Sequence, residues 1–419
     1  MAQLTLRQRL PQSRQRELFM KAVKTLLGAA VLGLAAYAGP SSAALPENQP
    51  GQTLHPENSE LLPLGEGRPQ FGDAVVVRND TALVALPVFS GAQGFGRIAI
   101  FTREGATAWR RAGQLPCPES QCTFADAISL RDNIAVVHSG LDALMVFRRV
   151  QGLWRLTQRI ESPDPGLLQF GNGASVRYEN GFITAAGRPL DSDGVPGRLY
   201  VFQISSAGKL LRTFRLQARD GKPGDGFGVT AAIASNTIVT GAPDAAAAYV
   251  FHWNGSTWFQ RAKLVPSDSP LISAFGLSVA FDQGLILVGA PFAQVGEHNN
   301  RGAVYAYERV NDVWTERQRF RPSSAENPNA TEFGTQIVMF GNRAVIAATE
   351  RPAENAQSLA FVYERTPAGL VARSFVRGPG IGNSGLALFQ NVMMLGLPHE
   401  GSDSDVGHVR VYNLGLPAH

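Results

Sequence analysis

The sequence predicts an all-β fold, a closed ring of seven four-stranded antiparallel sheets, and three observations predict it. A segment recurs seven times, starting at Phe71, Phe124, Phe170, Phe227, Phe275, Phe333 and near Gly382, with spacings of 53, 46, 57, 48, 58 and 49 residues. Each copy carries short apolar runs separated by turn-forming residues. A strand of alternating small and aromatic residues returns in all seven copies, so that even the faint second and seventh copies count. One such unit cannot bury its own apolar face, and stacking neighbours into a ring is what covers it.

The elements follow in order. An aromatic-glycine start, Phe227-Gly228 or Phe275-Gly276, opens the first strand, as in Leu277-Ser278-Val279-Ala280-Phe281. A tight turn comes next, as in Arg78-Asn79-Asp80, Asp132-Asn133, Glu179-Asn180-Gly181 or Gly341-Asn342-Arg343, all residue types that tolerate hairpin geometry. The second strand, for example Leu285-Ile286-Leu287-Val288, is apolar on both faces and suits a sheet covered on both sides. It ends in Gly241-Ala242-Pro243, Gly289-Ala290-Pro291 or a relic such as Ala85-Leu86-Pro87, with the Pro 16 residues after the starting Phe. The third strand reads Gly197-Arg198-Leu199-Tyr200-Val201-Phe202 or Gly302-Ala303-Val304-Tyr305-Ala306-Tyr307. The fourth opens with Trp or Leu and has an apolar residue six positions on: Trp109/Leu115, Trp154/Ile160, Leu210/Leu216, Trp258/Leu264, Trp314/Phe320 and Leu370/Val376.

There are six such pairs for seven units, because the chain stops seven residues after Tyr412. An open strand edge invites aggregation. The sequence therefore predicts that the last sheet is closed from the N-terminal side, with Ser59 to Leu64 as the outer strand, within a leader and closing segment at 45–70 and a ring at 71–419.

Residues 1–44 read as an export signal. Six basic residues from Arg7 to Lys24 precede an apolar run from Leu26 to Ala38 and a small-residue cleavage region at Ser41-Ser42-Ala43-Ala44. The run is short for a membrane span, although an uncleaved anchor is the alternative, and Met20-Lys21 makes an ordinary start as well. Cleavage removes six cations and Glu17, five net positive charges, so the formal charge falls from +4 to about −1. That removes a compositional case for nucleic acid. Secreted or periplasmic localisation and a monomeric state with no transmembrane segment in the mature chain are expected. In an oxidising compartment, Cys117 and Cys122 are expected to form a local disulfide. Gly is abundant at 44 residues and charged residues make up 17%, as befits many short strands and tight turns.

Phe-Gly, Gly-Ala-Pro and Gly-x-Val-Tyr-x-Phe/Tyr together resemble the FG-GAP repeat of the integrin α-chain β-propeller and of exported bacterial proteins. The resemblance covers Phe71 to Tyr412 and implies a seven-bladed β-propeller, a number the strand count supports independently. Integrin propellers carry Asp-rich calcium loops in the hairpin between the first two strands. Here those hairpins hold at most one or two carboxylates, too few for a cation that wants six to eight oxygens, so the calcium sites do not carry over. No cofactor is expected, with weak calcium binding at Asp191/Asp193 or Asp403/Asp405 as the alternative.

The connections between second and third strands differ most from unit to unit, and they emerge with the loops leading into each Phe-Gly on one face. That face gathers Asp191, Asp193, Glu297, His298, Glu350, Arg351, His399, Glu400, Asp403 and Asp405. Loops on a rigid scaffold are where binding residues concentrate. The seven histidines show no zinc spacing, no nucleophile turn is present, and Gly221 to Gly228 leads into a strand rather than the helix that a phosphate cradle needs. The expected function is thus an exported, non-catalytic propeller binding a protein or glycan through its loop face. The alternatives are a polysaccharide lyase or hydrolase, for which His399-Glu400 is the acid/base candidate, and a structural part of an envelope assembly.

Overall fold

A computed structural model describes residues 45–57, 68–89, 95–105, 108–116, 124–139, 143–164, 169–171, 175–188, 194–268, 274–294, 301–322, 329–350, 357–379, 385–398 and 406–415. The described residues form seven antiparallel sheets, the blades of a β-propeller, with a short 3-10 turn at Pro243–Ala245 and no α-helix among them. Blade one comprises Val75–Arg78, Thr81–Phe89, Phe95–Glu104 and Ala108–Gln114. Blade two comprises Phe124–Arg131, Ile134–Ser139, Ala143–Val150 and Leu153–Glu161, and blade three Arg177–Glu179, Phe182–Arg188, Arg198–Ile204 and Leu210–Leu216. Blade four is Ala231–Ala234, Thr237–Ala242, Ala247–Trp253 and Trp258–Leu264, and blade five Ser278–Asp282, Leu285–Ala290, Ala303–Val310 and Val313–Phe320. Blade six is Ile337–Phe340, Arg343–Glu350, Gln357–Thr366 and Gly369–Pro379. In blades one, three and six a two-residue strand (Arg68–Pro69, Gln169–Phe170, Ala330–Thr331) also pairs with the far end of the second strand.

The geometry explains the repeat residue by residue. The starting Phe is buried, as at Phe71, Phe170, Phe275 and Phe333, each 0% exposed. In blades three to five it meets two aromatics of its own blade's third strand edge-on, and in blade one Phe71 meets Phe101 in the same way. Phe227 lies 5.5 and 6.0 Å from Tyr249 and Phe251, and Phe275 lies 5.2 and 6.3 Å from Tyr305 and Tyr307. Such T-shaped contacts are the preferred aromatic geometry, so the start motif and the Tyr-x-Phe/Tyr motif are two halves of one contact. Gly276 then sits at φ +98°, a conformation costly for any residue with a Cβ. Its N–H donates to the carbonyl of Gly289 at 2.9 Å, pinning the start to the end of the second strand. The Gly of Gly-Ala-Pro acts between blades. A Cβ on Gly241 would stand 1.8 Å from the carbonyl oxygen of Gly276 in the next blade.

Blade seven is assembled from both ends of the described chain. Leu386–Phe389, Val392–Leu397 and His408–Asn413 supply three strands, and Gln52–Leu54 is hydrogen-bonded to the third as the fourth. The outer strand is therefore Gln52–Leu54 and not Ser59 to Leu64, which lie outside the described residues. The missing seventh anchor is Leu54, 3% exposed and paired with Val409 as Phe320 is paired with the equivalent Val304. Gln52 occupies the register position of Gln318 and makes the same clasp. Its amide bonds the backbone N and O of Trp109 in the next blade at 2.8 Å each, as Gln318 bonds those of Leu370 at 2.8 and 3.0 Å. Upstream, Glu47 forms a parallel bridge with Phe375 of blade six and an ion pair with Arg377 at 3.4 Å.

Three consecutive blade junctions share a polar clasp. Asp164, Asp220 and Asp268 each stand four residues past the anchor of a fourth strand and bond a third-strand tyrosine of the next blade, Tyr200, Tyr249 and Tyr305. A cation completes each one: Arg198, Lys263 and Arg319. The tyrosine hydroxyl lowers the Asp164 carboxyl pKa, and the Lys263 ammonium lowers that of Asp220. Trp109, Trp154 and Trp258 are buried, so the recurrent tryptophans pack rather than offer a stacking platform.

Candidate functional site

Of the ten loop-face residues, Glu350 lies within the described chain. It ends the second strand of blade six, in register with Gln357, and Arg377 bonds its carboxylate at 2.8 Å. Glu350 thus stands where the second strand of blade six passes into the second-to-third connection. Strand register carries the ladder through Glu350, which holds its side chain beside the outer strand. Asp191, Asp193, Glu297, His298, Arg351, His399, Glu400, Asp403 and Asp405 lie outside the described residues, as do Cys117 and Cys122.

The inner strands of all seven blades surround a central channel of about 770 Å³. Its composition is readable level by level, because all seven hairpins between first and second strands have two residues, at 79–80, 132–133, 180–181, 235–236, 283–284, 341–342 and 390–391. The residue before each hairpin is Arg78, Arg131, Glu179, Ala234, Asp282, Phe340 and Phe389 in blade order. Arg78 lies over the rings of Phe340 and Phe389, at 5.3 and 5.0 Å, a cation–π arrangement. Arg131 pairs with Glu179, and Asp282 accepts from the Gly341 N–H at 2.8 Å. Burial pushes the Glu179 carboxyl up, against the pull of Arg131 and Arg78. This end of the channel is thus filled by large side chains that neutralise one another.

Two residues deeper stand Val76, Ser129, Arg177, Ala232, Ala280, Val338 and Ala387, with one charge among seven. The Arg177 guanidinium donates to the Val176 carbonyl at 2.8 Å and has no carboxylate partner among the described residues. Burial alone pushes its pKa down to about 10. Two residues deeper again the channel is lined by Ala74, Ala127, Thr230, Ser278, Gln336 and Gly385, mostly small residues, toward the face where the second-to-third connections emerge. There the Thr335 hydroxyl and the Gln336 side-chain carbonyl are buried without hydrogen-bond partners.

Sequence reasoning did not single out Arg78, Arg131, Arg177, Glu179 or Asp282. The signal was available: aligning the seven copies on the hairpin shows ionisable residues at four of the seven positions just before it and at one of the seven two residues earlier. No group of three or more His, Cys, Asp or Glu stands in metal-binding proximity among the described residues. No helix among them is long and apolar enough to cross a membrane.

The fold and its channel define the class, a seven-bladed β-propeller. An FG-GAP repeat family model matches residues 258–307, from the fourth strand of blade four through the third strand of blade five. The chain thus carries an FG-GAP repeat within a seven-bladed β-propeller fold. No curated protein matches it. Among solved structures, a chain of the mitotic checkpoint complex is similar at 10% identity and a TM-score of 0.50, covering 91% of this chain and 100% of that one. Sqt1 of Saccharomyces cerevisiae is similar at 10% identity and a TM-score of 0.47, covering 87% of this chain and 99% of that one. At that identity the first likeness shows the fold alone.

Proposed function

We propose that this chain is an exported, non-catalytic binding module that takes a protein or glycan ligand on its loop face. The observation that carries this reading is the contrast between the two faces. On one, seven hairpins all have two residues. On the other, the second-to-third connections run from three residues at 140–142 to twelve at 291–302. The three longest, at 189–197, 291–302 and 398–407, belong to alternate blades. They carry Asp191, Asp193, Glu297, His298, His399, Glu400, Asp403 and Asp405. A scaffold held constant while one set of loops varies in length and charge is the usual plan of a binding surface. The two-residue hairpins have no room for a calcium loop, so binding is proposed to proceed without tight calcium dependence.

The test is ligand capture by the mature protein from native envelope and on a glycan array. A variant with alanine at Asp191, Asp193, Asp403 and Asp405 should stay folded and lose the ligand, while Asp132→Ala on the hairpin face should retain it. Binding that survives the loop variant and fails in the hairpin variant would reverse the assignment of the faces.

A further inference from the structure

We propose that the outer corner shared by blades two and three docks onto an anionic lipid bilayer. Charge is segregated in this chain. Residues 143–160 and 198–219, which hold the third and fourth strands of these two blades, contain nine Lys and Arg and no Asp or Glu. Glu161 and Asp220 follow directly, at the loop-face ends of the two segments. The mature chain carries about −1 in all, so its remainder carries about −10. The equivalent segment of blade five, residues 303–320, has three cations and three anions. Folding does not ask for the surplus. Arg148 and Arg155 stand directly opposite each other in the ladder of blade two, where like charges destabilise. The corresponding pair in blade five is Glu308 and Thr315. Arg148, Arg155, Lys209 and Arg212 have no carboxylate partner among the described residues, and the last three are exposed. An anionic surface supplies the missing counter-charge.

Three leucines stand among these cations. Leu153, just past the third-to-fourth hairpin of blade two, is 62% exposed, and Leu210 and Leu211, just past that of blade three, are 37% and 58% exposed. Leu210 takes the place held in other blades by the buried Trp109, Trp154, Trp258 and Leu370. The two blades touch here. The Lys209 ammonium donates to the Thr157 carbonyl, and the Thr157 hydroxyl donates to the Gly208 carbonyl at 3.3 Å. At a strand rise of about 3.3 Å per residue, Leu153 lies about 13 Å from that contact. Charge alone would satisfy a soluble polyanion. Aliphatic tips set between cations fit a bilayer, whose phosphates draw the cations to the headgroups while the leucines enter the acyl boundary. Because strands alternate in direction, this corner lies on the side of the two-residue hairpins, and docking leaves the loop face free. The proposal does not depend on the loop-face reading.

Vesicle flotation of the mature protein tests this. Phosphatidylcholine vesicles carrying about one third phosphatidylglycerol are compared with pure phosphatidylcholine, at roughly 0.05 and 0.5 M salt. Binding is expected to the anionic vesicles only, and it should weaken at the higher salt. Arg155→Gln, Lys209→Gln and Arg212→Gln should each lower the partition about fivefold. The double variant Leu153→Ser, Leu211→Ser should lower it about tenfold. All five positions are exposed, so circular dichroism and the melt should stay near wild type. Val313→Ser on blade five, a position 63% exposed, and the four loop alanines should leave binding unchanged. No binding to anionic vesicles by folded wild type, equal binding to neutral vesicles, or a leucine variant that binds as tightly as wild type would each overturn the proposal. Capture of poly-L-glutamate without capture of vesicles would assign the corner to an acidic protein and overturn it too.

Discussion

Blades four and five are made of four consecutive strands each, whereas blade seven takes three strands from one end of the chain and its outer strand from the other. The junctions nevertheless have one geometry. A Cβ on Gly241 at the four–five junction would stand 1.8 Å from the Gly276 oxygen, and one on Gly396 at the seven–one junction 1.8 Å from the Gly72 oxygen. Gln52 clasps blade one as Gln318 clasps blade six. What differs is connectivity. Consecutive strands are tethered by short loops, so their pairing costs little closure entropy, while blade seven must bring residues more than 350 positions apart into register. The closure is thus equal to the other junctions in contacts and inferior to them in chain entropy. The molecule compensates with Glu47–Arg377 and with Arg343, whose guanidinium donates to the carbonyls of Leu414 and Gly415 at 3.0 and 3.3 Å.

Perturbations of the two regions would break or sharpen that comparison. The largest effect should follow removal of residues 45–54, which strips blade seven of its outer strand and exposes the edge of His408–Asn413. Thermal melting should show a shift of tens of degrees or outright aggregation. The single change Leu54→Ala should cost about 2–5 kcal/mol in denaturant unfolding, and Phe320→Ala a similar amount. A much smaller loss at Leu54 would mean that the closing strand is ornamental.

Next come Gly241→Ala and Gly396→Ala. Each forces a methyl against a backbone oxygen of the neighbouring blade, and each should cost about 1–3 kcal/mol or more. Equal losses would confirm that the closure is packed like any other junction, whereas a tolerated Gly396→Ala would show it to be looser. Gln52→Ala and Gln318→Ala should then cost about 1 kcal/mol each by leaving a backbone N–H and carbonyl unpaired, measured in the same unfolding assay.

The smallest effect belongs to the aspartate clasps of blades two to five. Asp164→Asn and Asp220→Asn should cost below about 1 kcal/mol at neutral pH, since these pairs are partly exposed. Both carboxyls are held below their ordinary values, so their contribution is present above the ordinary carboxylate range and is lost as pH falls through the folded values. The stability gap between wild type and variants should therefore close on acidification. Glu179 runs the other way. Its folded value is raised, so its favourable contribution is present below the ordinary carboxylate value and is lost as pH rises through the raised one. A melt series across the acid range should show the aspartate variants and Glu179→Gln bending in opposite directions.

Much of the fold was legible from residue types. Seven returns of Phe-Gly and of the small-aromatic strand fixed the blade number, because the Phe and the third-strand aromatics must meet edge-on and glycine alone permits the approach of neighbouring backbones. The six fourth-strand pairs announced that one outer strand had to come from elsewhere. Which residues supply it was not legible. Leu54 is one leucine in a polar leader, and only its register opposite Val409 distinguishes it from Leu61 or Leu64. The candidate sites divided in the same way. Variable acidic loops are visible in any repeat alignment, while the charge of Arg177 proves solitary only when six other inner strands place Val, Ser and Ala around it. A repeat motif records contacts that every blade must make, so one chain contains them seven times over. The closing strand and the channel are made once, by residues distant in sequence, and only the closed ring brings those residues together.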